Sequence, residues 1–494
     1  MSSEYDLVVI GAGPAGYVGA IRAAQLGMRT AVVENERVGG VCVNWGCIPT
    51  KAILHCAEVY DLARARAGRA DCGVRADALA FDFGAVIDKS RRAAERLARG
   101  IEGLFRNNRI DLIPGRGRLA DGQTVVVTSA GGDASERRIQ ARRILLATGA
   151  RPKALPGITV DGKRILTSRE ALALREIPGS VLIVGAGAVG LEFASFYAGY
   201  GARVTVVEME LQIVPGTDED VANEMKKALE RRGITILTGT ICRDIEISET
   251  GVKVVAVPST KGGTGILPVN AERLDACPTS HGQDAHATSV EAEKMLLAVG
   301  STPNSENLGL ESLGITVEKG FVRIGPGFRT ACETVWAVGD LIGPPLLAHA
   351  ASAEAIAAVE AMAGLGSGTV NYQTIPACIY SQPEMATVGW TEKQAAEKRS
   401  NVGVVKTPFV ANGKAIAVGQ TDGFVKLVFD KDSREILGCH MVGHGVTELI
   451  NLLGLAMSAK LTVAQVAHTV YAHPTRGELI GEAALAALGQ TVIP

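Results

Sequence analysis

The chain has 494 residues, with a formal net charge of −2, 47% hydrophobic and 21% charged residues, and nine cysteines. Its length suggests roughly three or four domains of about 100–200 residues, and its balance of apolar and charged residues is typical of a soluble globular protein. The near-neutral charge gives no reason to expect nucleic acid or a membrane surface as a partner. No apolar run is long enough to span a bilayer. The sparse, odd number of cysteines excludes a disulfide scaffold and favours a cytoplasmic location.

The first predicted element is a dinucleotide-binding unit at residues 5–34. A short apolar strand leads into Gly11, Gly13 and Gly16, a helix follows over residues 17–27, and a second apolar strand ends in Glu34. In such a unit the first glycine makes the tight turn, the second lets a pyrophosphate approach the backbone, and the third lets the helix pack on the strand. The helix N-terminus attracts the phosphates, and the acid accepts hydrogen bonds from the ribose hydroxyls.

Two cysteines separated by four residues, Cys42 and Cys47, follow directly after this unit. An isolated pair of this kind is more often structural sulfur or chance. A close dithiol beside a nucleotide site can instead exchange two electrons with it. We also predict a helix that begins near Cys47, with Pro49 in its first turn, and the N-terminus of that helix would stabilise a thiolate.

The same nucleotide-binding unit occurs a second time at residues 180–208. It has Gly185, Gly187 and Gly190 at the same spacing and ends in Glu208. Both copies keep all three glycines and the terminal acid, which argues against a degenerate copy and predicts two dinucleotides. The acid favours the free ribose diol of NAD, because a carboxylate repels the 2′-phosphate of NADP.

Further motifs make the chain resemble the pyridine nucleotide–disulfide oxidoreductases over nearly its whole length. Together they are very specific for that family. They are Gly16-Tyr17-Val18, the dithiol segment, Gly190-Leu191-Glu192, Ala337-Val338-Gly339-Asp340 with Leu347-Ala348-His349, Tyr380-Ser381-Gln382-Pro383-Glu384, and His473-Pro474-Thr475 with Glu478.

The resemblance implies a fold class and a domain order. The fold is α/β, with two Rossmann-like dinucleotide-binding domains and a C-terminal α+β dimerisation domain. The implied domains are the first part of the FAD-binding domain at 1–150, the NAD-binding domain at 151–298, the return to the FAD-binding domain at 299–365 and the interface domain at 370–494. A segment at 258–290, rich in Gly, Pro, Ser and Thr, is interpreted as a loop insertion without helix or strand. Its Cys277, His281 and His286 are an incomplete ligand set, so we predict no metal site.

The resemblance also assigns roles to residues. Cys42 would be the sulfur that meets the substrate and Cys47 the sulfur next to the flavin. His473 would be the general base, oriented by Glu478, while Lys51 and Glu192 would form a buried pair beside the flavin. Further cofactor contacts are implied at Gly117, Thr148, Gly149, Gly300, Asp340 and Ala348.

The implied activity is the NAD-dependent reoxidation of dihydrolipoyl groups through FAD and a redox disulfide. The histidine would act on the dithiol of the other subunit, which implies a homodimer. The lipoyl-bearing partner would be a separate chain, either the acyltransferase core of a 2-oxo acid dehydrogenase complex or the carrier of glycine cleavage. Two alternatives stay open: another FAD-dependent disulfide reductase of this fold, and a non-catalytic flavoprotein subunit. Arg476-Gly477 departs from the usual apolar residue and serine after His473-Pro474-Thr475, which puts the preferred dithiol in doubt.

Overall fold

The computed structural model describes residues 5–67, 73, 75–76, 78–129, 136–259, 287–366 and 368–491. The chain divides into two units. The first comprises Met1–Ala52, Gly84–Lys153 and Ser301–Asn371, and the second comprises Ile53–Phe83, Ala154–Gly300 and Tyr372–Pro494. Residues 53–83 therefore group with the second unit, whereas the predicted first domain runs unbroken to residue 150; the predicted domain boundaries stay a prediction.

The strands within the described residues are β1 (Tyr5–Ile10), β2 (Thr30–Glu34), β3 (Asp111–Pro114), β4 (Arg116–Asp121), β5 (Thr124–Thr128), β6 (Glu136–Leu146), β7 (Ala150–Pro152), β8 (Ile165–Leu166), β9 (Ser180–Val184), β10 (Arg203–Val207), β11 (Thr235–Leu237), β12 (Thr240–Ile247), β13 (Val252–Pro258), β14 (Thr288–Ala292), β15 (Lys294–Leu297), β16 (Ser301–Pro303), β17 (Val317–Glu318), β18 (Phe321–Val322), β19 (Val335–Ala337), β20 (Ala377–Ile379), β21 (Glu384–Gly389), β22 (Val402–Pro408), β23 (Phe424–Asp430) and β24 (Ile436–Gly443). The α-helices of the same residues are α1 (Pro14–Gln25), α2 (Gly40–Trp45), α3 (Cys47–Arg66), α4 (Phe83–Asn107), α5 (Ser168–Ala171), α6 (Ala188–Gly199), α7 (Glu219–Arg231), α8 (Ala348–Met362), α9 (Glu392–Lys398), α10 (Gly413–Val418), α11 (Val446–Ser458), α12 (Val463–Ala467) and α13 (Glu478–Ala487). Within the same part of the chain, no helix is both long enough and apolar enough to cross a membrane.

The first unit is built on a sheet whose central strands are parallel. β3, β2, β1, β6 and β19 lie side by side in that order, and β4 and β5 extend the first half of β6 as an antiparallel meander. Leu7 and Val9 of β1 share a core with α1 and α8, whereas Val8 and Ile10 pack into a second core on the opposite face. Burial on both faces explains why residues 7–10 of this strand are an unbroken apolar run.

The second unit contains a parallel sheet of the same type. β11, β10, β9, β15 and β8 lie in that order, and β12, β13 and β14 form an antiparallel sheet in the same unit. The C-terminal residues form the antiparallel sheet β20-β21-β24-β23-β22. This sheet shares its core with α11 and α13 through side chains such as Ile450 and Leu479. The predicted fold class is confirmed.

The structure corrects the two ends of the predicted insertion at 258–290. β13 continues through Pro258, and β14 already begins at Thr288, which pairs with Ala256. The prediction failed there because the few β-forming residues next to a Gly- and Thr-rich stretch are too short to show an alternating pattern. Residues 260–286, with Cys277, His281 and His286, lie outside the described residues.

Candidate functional site

The first glycine loop connects β1 to α1. The Gly11 amide donates to the Val33 carbonyl at 2.8 Å, and Gly11 has a φ of +102°, which favours glycine. A Cβ on Gly16 would lie 1.9 Å from the Gly11 carbonyl oxygen, so only glycine allows the helix to start this close to the strand. α1 begins at Pro14, three residues before the prediction, because a proline is compatible with the first turn of a helix.

The acid at the end of each second strand is tied to its glycine loop in the same way. Glu34 accepts hydrogen bonds from the Ala12 amide at 2.7 Å and from the amide two residues further along the chain at 2.8 Å. Glu208 accepts from the Ala186 amide at 2.7 Å and from the amide two residues further on at 2.9 Å. Each carboxylate oxygen keeps a second lone pair, so both acids can also accept from two ribose hydroxyls. Burial raises the pKa of Glu34, although these amides act in the opposite direction.

The second glycine loop connects β9 to α6. Gly185 has a φ of +104°, and a Cβ on Gly190 would lie 2.0 Å from the Gly185 carbonyl oxygen. Among the described residues, and apart from its own chain neighbours, no atom lies within 4 Å of a Cβ built on Gly187. The loop therefore leaves open space at the glycine that faces the pyrophosphate in this type of unit.

Cys42 lies in α2, a six-residue helix that the sequence did not predict. Gly39 lies directly before this helix and Gly40 is its first residue, and they have positive φ values of 100° and 58°. A Cβ on Gly40 would lie 2.7 Å from the Cα of Gly13, so α2 packs directly on the first glycine loop. The Gly-Gly pair was the available indication, since it allows a sharp turn into a helix, but six residues are too few for a helical period. Cys47 begins α3, as predicted.

The two sulfurs of the dithiol are not bridged, and the side chains are hydrogen bonded. The hydrogen bond with Cys47, burial and the Cys47 charge raise the pKa of Cys42 well above its usual range, while the Lys51 ammonium acts to lower it. A protonated Cys42 can donate to the Cys47 sulfur, which lies at the N-terminus of α3 where negative charge is stabilised. Tyr17 lies beside both thiols, and its pKa is raised by burial and by their charge; the sequence analysis gave this tyrosine no role.

Further residues predicted to bind the cofactor lie around the parallel sheet of the first unit. Burial raises the pKa of Asp340, which follows β19. The amide of the preceding Gly339 donates to the buried Glu354 carboxylate at 2.7 Å, and this fixes the turn that positions Asp340. Ala348 begins α8, which has no side-chain cap at its N-terminus. A Cβ on Gly117 would lie 3.1 Å from the Ile10 side chain, so this glycine is needed for packing on β1.

Thr148 and Gly149 form a turn that is fixed by a residue distant in sequence. The Thr148 hydroxyl donates to the Asn304 carbonyl at 2.8 Å, and the Asn304 side-chain amide donates back to the Thr148 carbonyl at 2.9 Å. The Asn304 backbone amide donates to the Gly149 carbonyl at 2.9 Å. The sequence analysis missed Asn304, because no local pattern reports a contact across 156 residues. Gly300 has a φ of +99°, and, apart from its chain neighbours, no atom of the described segments lies within 4 Å of its Cβ position.

Glu192 is buried in α6 of the second unit. Its carboxylate accepts a hydrogen bond from the Tyr380 amide at 3.1 Å. Burial, aided by nearby negative groups that include Glu192, raises the pKa of Tyr380 to about 12. Lys51 belongs to the first unit, and its predicted pairing with Glu192 stays a prediction.

His473 and Glu478 are hydrogen bonded, with 2.8 Å between the His473 Nδ1 and the Glu478 Oε1. The second carboxylate oxygen accepts from the Thr475 amide at 2.8 Å. These two bonds hold the pKa of Glu478 below its usual value. If Nδ1 carries the proton in this hydrogen bond, Nε2 presents a lone pair that can take a proton from a substrate. The histidine side chain is 78% exposed, so this nitrogen is accessible within the chain.

Arg476, where the chain departs from the family pattern, lies in the turn before α13. Its guanidinium donates to the Gln420 side chain. Burial lowers the pKa of His444 to about 4, and the positive charge of Arg476 adds to this effect. The arginine is therefore tied to the interface domain next to the predicted base. No group of three or more His, Cys, Asp or Glu side chains that could hold a metal ion is found in the described parts of the chain.

The chain is similar to known proteins over its length. Residues 5–355 match the pyridine nucleotide-disulphide oxidoreductase family, and residues 375–484 match its dimerisation domain. The chain is 41% identical to the dihydrolipoyl dehydrogenase of Zymomonas mobilis and 41% identical to that of Bacillus subtilis, in each case over 100% of both chains. It is 36% identical to the mitochondrial dihydrolipoyl dehydrogenase of Pisum sativum, over 98% of this chain and 92% of that one.

Two solved structures have the same fold over nearly the whole chain. LpdA from Mycobacterium tuberculosis aligns with a TM-score of 0.85 at 26% identity, covering 97% of this chain and 99% of that one. The HOCl-induced flavoprotein disulfide reductase RclA from Escherichia coli aligns with a TM-score of 0.80 at 26% identity, with the same coverage.

Proposed function

The chain belongs to the pyridine nucleotide-disulphide oxidoreductase family, and we propose that it works as an NAD-dependent dihydrolipoyl dehydrogenase. The observation that carries this proposal is the dithiol helix α2, which lies on the first glycine loop with Cys42 beside Cys47. The full-length relatives at 36–41% identity, all dihydrolipoyl dehydrogenases, give the substrate class. Enzymes of this family use FAD and NAD, in agreement with the predicted cofactors.

The two glycine loops fit dinucleotides. Each loop is hydrogen bonded to a carboxylate that has further acceptor sites, and the open space at Gly187 suits a pyrophosphate. FAD would lie on the loop of Gly11 and Glu34, and NAD on that of Gly187 and Glu208. When bound, FAD accepts two electrons from the dithiol and NAD carries them away as a hydride.

The substrate half-reaction is a pair of thiol–disulfide exchanges. His473 Nε2 takes a proton from one substrate thiol, and the resulting thiolate attacks the Cys42 sulfur of the oxidised Cys42–Cys47 disulfide. The bond between the two cysteines breaks, and Cys47 leaves as a thiolate. This first exchange leaves a mixed disulfide between the substrate and Cys42. The second substrate thiol then attacks the substrate sulfur of that mixed disulfide, and the substrate leaves as a disulfide while Cys42 leaves as a thiolate. The proton of the second thiol passes to Cys42, which returns to a thiol. The substrate loses two electrons, and the cysteine pair gains them.

Several residues support these proton and charge movements. Glu478 holds the His473 ring and stabilises its cationic form, since its low pKa keeps the carboxylate charged. The N-terminus of α3 stabilises the leaving Cys47 thiolate. The Lys51 ammonium lies close enough to Cys42 to lower its pKa, so it adds positive charge where the thiolate forms.

The match to the family's dimerisation domain supports a homodimer. We extend this to a shared site, in which His473 serves the dithiol of the other subunit. A separate lipoyl-bearing protein would deliver the substrate. The cytoplasmic location stays a prediction that rests on the cysteine count.

A coupled assay separates this function from the alternative of another disulfide reductase. The wild-type enzyme should reduce NAD with free dihydrolipoamide. Cys42→Ser should abolish this turnover but keep FAD bound and oxidise NADH with an artificial acceptor, because Cys47 alone cannot form the disulfide. Cys332→Ser, a half-buried cysteine far along the chain from the dithiol, is the matched control and should keep full activity. The proposal fails if the wild type does not turn over dihydrolipoamide or if Cys42→Ser keeps full turnover.

A further inference from the structure

Helix α4 (Phe83–Asn107) carries a row of exposed basic side chains on one face. Lys89, Arg92, Arg96 and Arg99 are all exposed and are spaced by three, four and three residues. Residues at such spacings share one face of a helix. Residues 89–99 contain five basic residues and one acidic residue, a net charge of +4, whereas the whole chain has a net charge of −2. We name these four side chains the basic stripe.

The same helix is attached to the helix of the dithiol. The Arg91 guanidinium donates to the Asn44 carbonyl at 2.8 Å and lies 5.0 Å from the centre of the Trp45 ring. Asn44 and Trp45 are the last two residues of α2, which carries Cys42. Lys89 and Arg92 lie within one turn of Arg91 on α4, so the basic stripe begins next to the dithiol helix.

The charges of the basic stripe are only partly compensated by ion pairs within the described part of the chain. Arg99 forms an ion pair with Glu95, but the Arg99 side chain is 72% exposed, and an exposed pair of this kind contributes little. Arg92 and Arg96 have no ion-pair partner in the described residues. Like charges four residues apart on a helix also repel each other. Arg92 and Arg96 therefore form no ion pair that stabilises their own helix, and their charges are available to an external partner.

We infer that the basic stripe docks an acidic face of the carrier protein that brings the dihydrolipoyl group to Cys42. The inference rests on the proposed function. The dihydrolipoyl group is a neutral dithiol and offers no charge to arginine, so charge recognition has to act on the protein that carries it. Complementary charge at a binding surface increases the rate of encounter and selects among partners. A positive surface beside the dithiol favours a carrier whose negative face surrounds its lipoyl group.

Two reduced substrates test this inference with the intact holoenzyme. One is free dihydrolipoamide, which is small and neutral, and the other is an isolated dihydrolipoyl domain with a net negative charge. The variants are Arg96→Glu and the double variant Arg92→Glu/Arg96→Glu. Arg106→Glu is the matched control, because Arg106 is an exposed arginine of the same helix, about 15 Å from Arg96 at 1.5 Å per residue.

The stripe variants should lower kcat/KM for the acidic domain by about tenfold at low ionic strength, and added salt should shrink the difference. They should leave kcat/KM for dihydrolipoamide unchanged, and Arg106→Glu should leave both substrates unchanged. Arg92→Lys/Arg96→Lys, which keeps the charge, should restore the wild-type rate with the domain.

Two kinetic results would overturn the inference: an equal loss of kcat/KM with both substrates, or no loss of kcat/KM with the domain. A third would be conversion of the variants to monomers in size-exclusion chromatography, because this would assign the stripe to the subunit contact. If the proposed function itself were wrong, the wild type would turn over neither substrate, and the two failures can thus be told apart.

Discussion

Alanine substitutions in the second glycine loop should separate folding from coenzyme binding. A Cβ on Gly190 would lie 2.0 Å from the Gly185 carbonyl oxygen, and a contact under 3.0 Å forces one of the two groups to move. The start of α6 would therefore have to move about 1 Å away from this oxygen. Overpacking of this kind costs about 1–3 kcal/mol. At Gly187 the added methyl group would meet no atom within 4 Å in the part of the chain that the structure describes, its chain neighbours aside, so Gly187→Ala should fold as the wild type does.

The same methyl group on Gly187 should instead obstruct NAD. The second glycine of this loop type lies where the backbone approaches the pyrophosphate. A tenfold to hundredfold rise in KM for NAD corresponds to about 1.4–2.8 kcal/mol of lost binding, and this is the range we expect for Gly187→Ala. The reduction of the enzyme by dihydrolipoamide should be unaffected, because the dithiol and the first glycine loop lie in the other unit.

Thermal unfolding and steady-state kinetics together test this pair. Gly190→Ala should unfold at a lower temperature. The shift should be at most about 2 °C per kcal/mol, the lower end of the range for domains of 150–250 residues, because the second unit is larger than that. Gly187→Ala should keep the wild-type unfolding temperature and FAD content, with a higher KM for NAD and an unchanged stopped-flow rate of reduction by dihydrolipoamide. An unchanged KM for NAD in Gly187→Ala would refute the placement of the pyrophosphate, and a fully stable Gly190→Ala would refute the packing argument.

Three further predictions concern the base, the coenzyme and the hairpin. His473→Gln should slow the dithiol half-reaction by about 10²–10⁴-fold while NADH still reduces the flavin; Glu478→Gln should slow the same step less, and a stopped-flow defect confined to the NAD step would contradict the assignment of the base. Glu208 should make kcat/KM much higher for NAD than for NADP through ribose hydrogen bonds and repulsion of the 2′-phosphate, so equal values would place this acid away from the ribose. Deleting residues 260–286 leaves a four-residue connection between the paired Ala256 and Thr288, a common hairpin length, so activity and FAD content should persist; loss of soluble protein would show that the segment contributes to the fold.

The nucleotide-binding units could be predicted from sequence because their geometry is local. Gly16 lies against Gly11 five residues earlier, and Glu34 bonds to the Ala12 amide within the same unit. Such contacts leave a fixed residue pattern. The pair of His473 and Glu478 is also local, since five residues separate the two side chains and the start of α13 fixes the carboxylate.

Features that depend on distant residues could not be predicted in this way. β7 pairs with β16, and Ala150 faces Pro303 across that pairing. One contact that attaches α4 to the dithiol helix comes from Arg91, which reaches the Asn44 carbonyl from 47 residues away. Neither contact changes the local alternation of apolar and polar residues, which is the main signal of secondary structure in a single sequence, and neither lies within a local motif.

The structure also gives a physical reason why FAD would lie on the first glycine loop and NAD on the second. The two loops have the same glycine spacing, the same acid and the same hydrogen bonds to that acid. They differ in what packs on them: α2 lies on the first loop, where Gly40 approaches Gly13, whereas the space at Gly187 in the second loop is open. A nucleotide on the first loop would be held beneath the dithiol helix, as suits a cofactor that stays bound through turnover. A nucleotide on the second loop can enter and leave, as a coenzyme that carries hydride away must do. The segment that packs on the first loop also carries Cys42 and Cys47, so under the proposed function a short stretch after β2 would both retain the flavin nucleotide and supply the sulfurs that reduce it.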